Sequence, residues 1–337
     1  MAEGRAALIA EPHPRAIIRR DDGRIDVRPS AADVERVARC GGGVLWMDVD
    51  SGDEAEHRWL EQVFRFHPLA IEDTLNPNSR VKIEEYPGYL FAIVRGVRFD
   101  ETTTDPYDLE TFNLCFFLGR DYLVTVHRTS GTACDQIFSR VAANPDLMTR
   151  GPGRLMHDVM DQAVDAYFPL LERLDDFVDR LEERVFVDSD EHAVRDIFTV
   201  RRLVLSLRRH LQPQRDVMHV LANRPTALLP AEVQLYFRDV YDHVLRIADS
   251  LETYRELLSG TMEGALSQTS NRLATVTKTL SVLATLSIPF VMLSGMWGMN
   301  FVRIPLQDAP YGFALLLALQ VVVAVAMVVV LRWRRLL

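Results

Sequence analysis

Residues 279–302 read Thr-Leu-Ser-Val-Leu-Ala-Thr-Leu-Ser-Ile-Pro-Phe-Val-Met-Leu-Ser-Gly-Met-Trp-Gly-Met-Asn-Phe-Val, a stretch without one charged side chain. A helix that crosses a bilayer needs about 20 apolar residues, because backbone groups left unsatisfied in hydrocarbon each cost several kcal/mol and a helix satisfies them internally. A second uncharged stretch, 309–331, follows almost at once. The connection from Arg303 to Pro310 is too short to form a domain, so the two spans are expected to form a hairpin whose ends return to one side.

Basic residues set the orientation. Arg332, Arg334 and Arg335 follow the second span and Arg272 and Lys278 precede the first, whereas the connection has only Arg303. That asymmetry places both termini in the cytoplasm. Residues 1–20 hold no apolar core of the kind a signal peptide needs, so the bulk of the chain is expected to stay in the cytosol.

The composition fits two membrane helices and a sizeable folded domain: 337 residues, 48% hydrophobic, net charge −9. An acidic chain argues against nucleic acid as a partner. Cys40, Cys115 and Cys134 are widely spaced and form no C-x-x-C pair, so neither a disulfide framework nor a zinc knuckle is indicated.

Upstream of the spans, residues 1–39 give little to place. Val44–Val49 reads as a buried strand, Glu54–Phe66 as a helix, Leu90–Phe99 as a second strand, and Phe112–Leu118 with Tyr122–Val126 as a hairpin about Gly119-Arg120-Asp121. Residues 1–152 are therefore expected to form an α/β domain. After Gly151-Pro152-Gly153 the strand signals stop. Met156, Met160, Ala163, Leu170, Leu174, Phe177, Leu181 and Val185 recur at helical spacing, in a segment (157–191) holding 12 acidic residues against three arginines. The next segment, 192–224, has seven arginines and two aspartates. Opposite charge on adjacent helices predicts an antiparallel acidic helical hairpin over 153–230, although two ordinary solvated faces would give the same counts.

From Ala231 the residues Val233, Phe237, Val240, Val244, Ile247, Leu251, Tyr254 and Leu258 step by four and three, a heptad seam running towards the first span without a proline. A stalk (231–278) continuous with the first span (279–302) would be about 100 Å long at about 1.5 Å per residue. Such a seam needs a partner, either the preceding hairpin or copies of itself.

Two membrane helices cannot enclose an aqueous path, so transport requires an oligomer, while a simple anchor does not. Thr277, Ser281, Ala284, Ile288 and Gly295 share one face of the first span, whereas the second is Leu, Val and Ala almost throughout. A pore-lining face explains this contrast; so does close packing of membrane helices through small residues.

Gly298-Met299-Asn300 ends the first of two C-terminal spans. With it come Pro289, the basic tail Arg332-Trp333-Arg334-Arg335, the stretch His67-Pro68-Leu69-Ala70-Ile71-Glu72-Asp73 and the stretch Tyr236-Phe237-Arg238-Asp239-Val240-Tyr241-Asp242-His243. In these the chain resembles the CorA family of divalent-cation channels over nearly its whole length. The resemblance implies an α+β membrane protein: a cytoplasmic α/β domain, an acidic helical hairpin, a stalk helix continuous with the first span, a short outer loop (303–310), a second span (311–331) and a basic cytoplasmic tail (332–337), assembled as a homopentameric funnel in the cell inner membrane. It also implies that Gly298, Met299 and Asn300 select the ion, and that Asp73 and Asp239 bridge adjacent subunits through cytoplasmic Mg2+.

The chemistry suits Mg2+, which gives up its water reluctantly and is poorly held by all-protein cages. An Asn300 amide can accept hydrogen bonds from coordinated water, and Gly298 permits backbone approach. A divalent ion crossing about 100 mV gains roughly 4.6 kcal/mol, so no nucleotide motif or cofactor is required. The loop departs from the magnesium pattern: Phe301-Val302-Arg303-Ile304-Pro305-Leu306-Gln307 puts a cation near the mouth, with Asp308 as the only acid. Ile304-Pro305 is similar to the ZntB branch, which handles Zn2+ with proton coupling. Mg2+ (with Co2+ or Ni2+) is the expected substrate and Zn2+ the alternative. A non-conducting membrane-anchored scaffold or sensor is the reading from another class. No enzyme is expected, since His157-Asp158 and Asp239 with His243 read as isolated pairs on solvated helix faces.

Overall fold

The computed structural model describes residues 14–99, 109–128, 132–188, 192–299 and 309–334, and divides into two compact units, 1–260 and 261–337. The first unit is built on a seven-stranded sheet. Its strands are β1 (Arg15–Arg20), β2 (Ile25–Asp26), β3 (Gly43–Asp50), β4 (Lys82–Tyr86), β5 (Tyr89–Phe99), β6 (Leu109–Gly119) and β7 (Tyr122–His127), in the spatial order β2-β1-β3-β7-β6-β5-β4. Only β3 and β7 run parallel, with Asp48 opposite Thr125 and Asp50 opposite His127. In β3, Leu45 through Val49 are all buried, the continuous burial of a strand covered on both faces. Gly43 opens β3 at φ +156°, where a Cβ would lie 2.3 Å from the Arg19 carbonyl oxygen.

Helices supply the two covers. On one face α1 (Ala31–Cys40), the turn and loop that follow α2 (Glu54–Arg58), and α3 (Pro68–Leu75) bury Val34, Val37, Trp59, Leu60, Phe66 and Ile71 against Leu45, Met47, Phe91 and Phe117. The expected helix from Glu54 to Phe66 starts as read, capped by the Asp53 side chain, but widens into a π-helical turn at Trp59–Val63 and stops before Arg65, whose φ is +57°. α1, β1, β2, β4 and α4 (Ala133–Ala143) were not placed by the sequence patterns.

The other face is covered by α5 (Pro152–Asp165), which packs on β3, β5, β6 and β7, and by α7 (Ala193–Asn223), which packs on β4 and β5. The helices expected as a separate hairpin domain from residue 153 therefore share the core of the sheet, and the chain is one unit through Gly260. The single helix expected across 156–185 is two, α5 and α6 (Phe168–Glu183). Pro169, in the first turn of α6, has no N–H to continue the ladder, and the buried Tyr167 at the joint turns its hydroxyl to the Arg95 carbonyl at 2.9 Å. α6 and α7 do pack on each other, with Arg184 and Asp196 paired at 2.8 Å.

α8 (Ala231–Trp297) is one helix of 67 residues that carries both stalk and first span. All eight seam residues from Val233 to Leu258 are buried within the chain itself. The His157 ring meets Phe237 edge-on, and the Tyr254 hydroxyl donates to the Leu171 carbonyl. The preceding helices are thus the partner the seam required, and the seam does not by itself argue for self-association.

The second unit holds the end of α8 and α9 (Gly312–Trp333). Both helices are long and apolar enough to cross a membrane, and Leu280, Leu283, Ile288, Val291, Phe313, Val321 and Val329 are all exposed. So much apolar surface on two helices needs lipid or neighbouring chains to cover it.

Candidate functional site

In the second unit the first span is sided. Val282, Leu286, Pro289, Phe290, Leu293 and Trp297 are half-buried, while Thr277, Ser281, Ala284, Ile288 and Gly295 are exposed. At about 100° per residue these two sets fall on opposite sides of the helix. Three hydroxyls of the span bond to their own helix: Thr279 donates to the Thr275 carbonyl, Thr285 to Ser281 and Ser287 to Leu283, at 2.7–2.9 Å. Thr277 and Ser281 also edge an open groove of about 560 Å3 that extends to Leu331 of α9.

The helix stops at Trp297, and the Gly298 N–H makes a last bond to the Ser294 carbonyl. A Cβ at Gly295 would meet nothing within 4 Å, and one at Gly298 only carbonyl oxygens at 3.4 Å and beyond. Neither glycine is sterically required within one chain. Gly298 and exposed Met299 are described; Asn300, Arg303 and Asp308 lie outside the described residues.

In the first unit, Asp73 sits in the last turn of α3. It accepts from Ser79 Oγ at 3.2 Å and pairs with Lys82 Nζ at 2.7 Å. Although burial opposes it, the hydrogen bonds to Asp73 and Glu84 hold the Lys82 ammonium above its ordinary range. Asp239, on α8, has its side chain 74% exposed, and His243 Nε2, one turn on, is 4.0 Å away. Among the described residues the two aspartates share no partner.

His243 leads to a group that the sequence patterns did not single out. Its Nδ1 lies 3.0 Å from Asp165 Oδ1, and Asp161, Asp165 and His243 bring one ligand atom each within 4.8 Å of the others. Asp161 Oδ1 is buried without a hydrogen-bond partner, and burial together with the charge of Asp165 raises the Asp161 carboxyl above its ordinary range. An orphaned buried carboxylate oxygen beside a second carboxylate and an imidazole is a donor set that a divalent cation fits. The signal was present as two i, i+4 pairs, Asp161/Asp165 and Asp239/His243, each of which puts two ligands on one helix face. What it lacked was the packing of α5 against α8.

His157 departs from its expectation. It is buried, held by Asp158 at 3.0 Å and packed against Tyr236 and Phe237, so it belongs to the core rather than to a solvated face. Arg154 stacks over the Tyr236 ring at 3.5 Å, which fixes the Tyr236–His243 stretch to α5.

A family model described as "CorA-like Mg2+ transporter protein" matches residues 41–335, which take in β3 to β7, the helices from α2 onward and both spans. The chain belongs to the CorA family. Among curated CorA relatives, the cobalt/magnesium transport protein CorA of Thermotoga maritima is 33% identical over 269 residues, covering 80% of this chain and 76% of that one. Among solved structures, the complete CorA magnesium transporter from Methanocaldococcus jannaschii superposes with a TM-score of 0.80 at 22% identity, covering 94% of this chain and 97% of the other. The ZntB cytoplasmic domain from Vibrio parahaemolyticus superposes with a TM-score of 0.54 at 16% identity, over 68% of this chain and 88% of that one. At these identities the two superpositions concern the fold. The CorA match takes in every candidate residue above, from Asp73 to Asn300.

Proposed function

We propose that the chain is a membrane channel for divalent cations, Mg2+ first, with uptake driven by the membrane potential. The observation that carries this reading is the sidedness of the first span: Thr277, Ser281, Ala284, Ile288 and Gly295 are exposed, on the side of the helix opposite its half-buried residues. A ring of such helices, five in the family analogy, would put Thr277, Ser281, Ala284, Ile288 and Gly295 around an axis. Gly298, Met299 and Asn300 would then sit at its outer mouth. Open space at Gly295 among the described residues leaves room for neighbouring subunits or a hydrated ion. Neutral hydroxyls at Thr277 and Ser281 would offer oxygen lone pairs without holding an ion tightly, which suits an ion that must leave again.

Regulation follows from the acidic groups of the first unit. Asp239, exposed and only loosely tied to His243, is free to face a neighbouring subunit's Asp73, while Asp161, Asp165 and His243 lie one turn from it. Mg2+ bound among these carboxylates would replace repulsion by attraction and favour one closed arrangement; its loss would open the ring. With both termini in the cytoplasm, the ion sensed is the internal one.

Flux into proteoliposomes of the purified protein tests this. Mg2+ uptake that follows an inside-negative potential and is reduced by Co2+ or Ni2+ supports the channel. Zn2+ uptake that follows a pH gradient would favour the proton-coupled alternative, for which the Ile304-Pro305 pair of the sequence speaks. Absence of any flux would leave a scaffold or sensor.

A further inference from the structure

The parallel strands β3 and β7 end side by side, and the crevice beyond the carboxyl ends of parallel strands is where α/β sheets hold ligands. Here Asp48 comes from β3 and His127 from β7. Cys134 comes from the first turn of α4, whose start is fixed by the Thr132–Asp135 capping box. All three are buried, and their ligand atoms lie within 4.8 Å of one another. His127 Nε2 is 3.1 Å from Asp48 Oδ2. Two ligands about 2.0–2.1 Å from one tetrahedral ion stand about 3.4 Å apart, so this pair is already near coordination spacing.

The surroundings hold the carboxylate in place. Thr125 Oγ1 donates to Asp48 Oδ1 while accepting from Trp46 Nε1 at 3.1 Å. Arg15 Nε donates to Asp48 Oδ2 at 2.7 Å, and the same guanidinium also pairs with Asp135 and lies 4.8 Å from the Phe138 ring. A polar cavity of about 400 Å3 opens beside the group, lined by Arg15, Asp48, Asp50, Glu56, His127, Arg128 and Asp135: four carboxylates against two arginines.

We propose that Asp48, His127 and Cys134 form a transition-metal site for a borderline divalent ion such as Zn2+ or Co2+, distinct from the Asp161–Asp165–His243 group. A thiolate with one imidazole and one carboxylate is a donor set for these ions and a poor one for Mg2+, which takes oxygen ligands and water. The cavity, which Asp48 and His127 both line, would supply entry and a water as fourth ligand. Binding forms a metal–sulfur bond, releases the Cys134 thiol proton to solvent, shifts the His127 proton that faces Asp48 from Nε2 to Nδ1 so that Nε2 can ligate, and displaces Arg15 from Asp48 Oδ2. The guanidinium keeps Asp135 and the Phe138 ring as partners. Metal-free, the same groups form the ion pair seen here. The site would report transition metals to the domain that carries Asp73.

Cobalt is the probe. Full-length protein in detergent, titrated with Co2+ in excess Mg2+, is expected to develop thiolate-to-cobalt charge-transfer absorption saturating at one ion per chain and removed by Zn2+. The band should vanish in Cys134→Ser and persist in Cys40→Ser and Cys115→Ser; carboxylate and imidazole sites produce no such band. Because Cys134→Ser is a core change, Arg15→Gln gives a second reading. Freed of its competing cation, Asp48 should bind Co2+ more tightly, by about tenfold. No charge-transfer band, a band that survives Cys134→Ser, or an affinity unchanged or weakened in Arg15→Gln would overturn the proposal.

Discussion

Gln320 Nε2, in the middle of α9, donates a hydrogen bond to Ser294 Oγ of α8 at 2.9 Å. It is the one polar side chain in a helix otherwise of Leu, Val, Ala, Met, Phe and Gly up to Arg332, and it fixes the register of the two spans. Hydrogen bonds between membrane helices are worth about 0.6–2 kcal/mol. Gln320→Leu should lower the thermal midpoint in detergent by a few degrees and leave flux measurable. A midpoint unchanged from the parent would show that packing alone sets the register.

Asn300→Ala should abolish cation uptake in proteoliposomes while size-exclusion behaviour stays that of the parent, because a residue at the aqueous end of a span contributes little to core packing. Parental uptake rates in this variant would remove the selectivity role proposed for Gly298-Met299-Asn300.

Five copies are expected by native mass spectrometry in a mild detergent that preserves flux; a monomer or dimer would contradict a pore built from the first span. Since Leu251 is buried within its own chain, Leu251→Ala should cost about 2–5 kcal/mol of folding stability rather than dissociate the ring selectively.

Asp239→Asn and Asp161→Asn should both leave uptake running at internal Mg2+ concentrations that close the parent. Asp161→Asn should also stabilise the metal-free protein, by about 1 kcal/mol, since it removes a buried, partly unsatisfied carboxylate from beside Asp165. Flux measured against internal Mg2+, with thermal unfolding with and without Mg2+, separates the two effects. Inhibition curves identical to the parent's would exclude a regulatory site here.

Glu56 accepts a 2.6 Å bond from the Asp50 N–H, yet its carboxyl is pushed up to about 7. Burial raises it most; the Asp50 N–H opposes, and the charges of Asp53, Asp50 and Asp48 add to the rise. The folded chain therefore holds this proton more tightly than the unfolded chain, and stability falls as pH rises from the ordinary carboxyl range through about 7. Glu56→Gln should remove that fall. It should match the parent at pH 5 and exceed it at pH 8 by about 1 kcal/mol, a figure reduced for the partial exposure of the group. Parallel curves of thermal midpoint against pH would refute this.

The spans, the long helix and the strands β3, β5, β6 and β7 were legible because each is a one-dimensional pattern: an uncharged run, a heptad step, a buried strand, a hairpin about Gly119. β1 and β4 were not. Arg15–Arg20 carries three arginines and Lys82–Tyr86 three charges, so neither reads as a strand until neighbours supply its ladder bonds. The two apolar helices and the family resemblance were likewise written in the chain, since length, hydrophobicity and short motifs are local properties.

Tertiary packing decided the rest. Whether the Val233–Leu258 seam faced a copy of itself or its own chain depended on where α5 and α6 turned back, which Pro169 and Tyr167 settle at a joint without a strong local signal. The groups Asp161–Asp165–His243 and Asp48–His127–Cys134 join residues 82 and 86 positions apart from end to end. Coordination chemistry acts across a few ångströms of space, and sequence spacing reports that distance only along a single helix or strand.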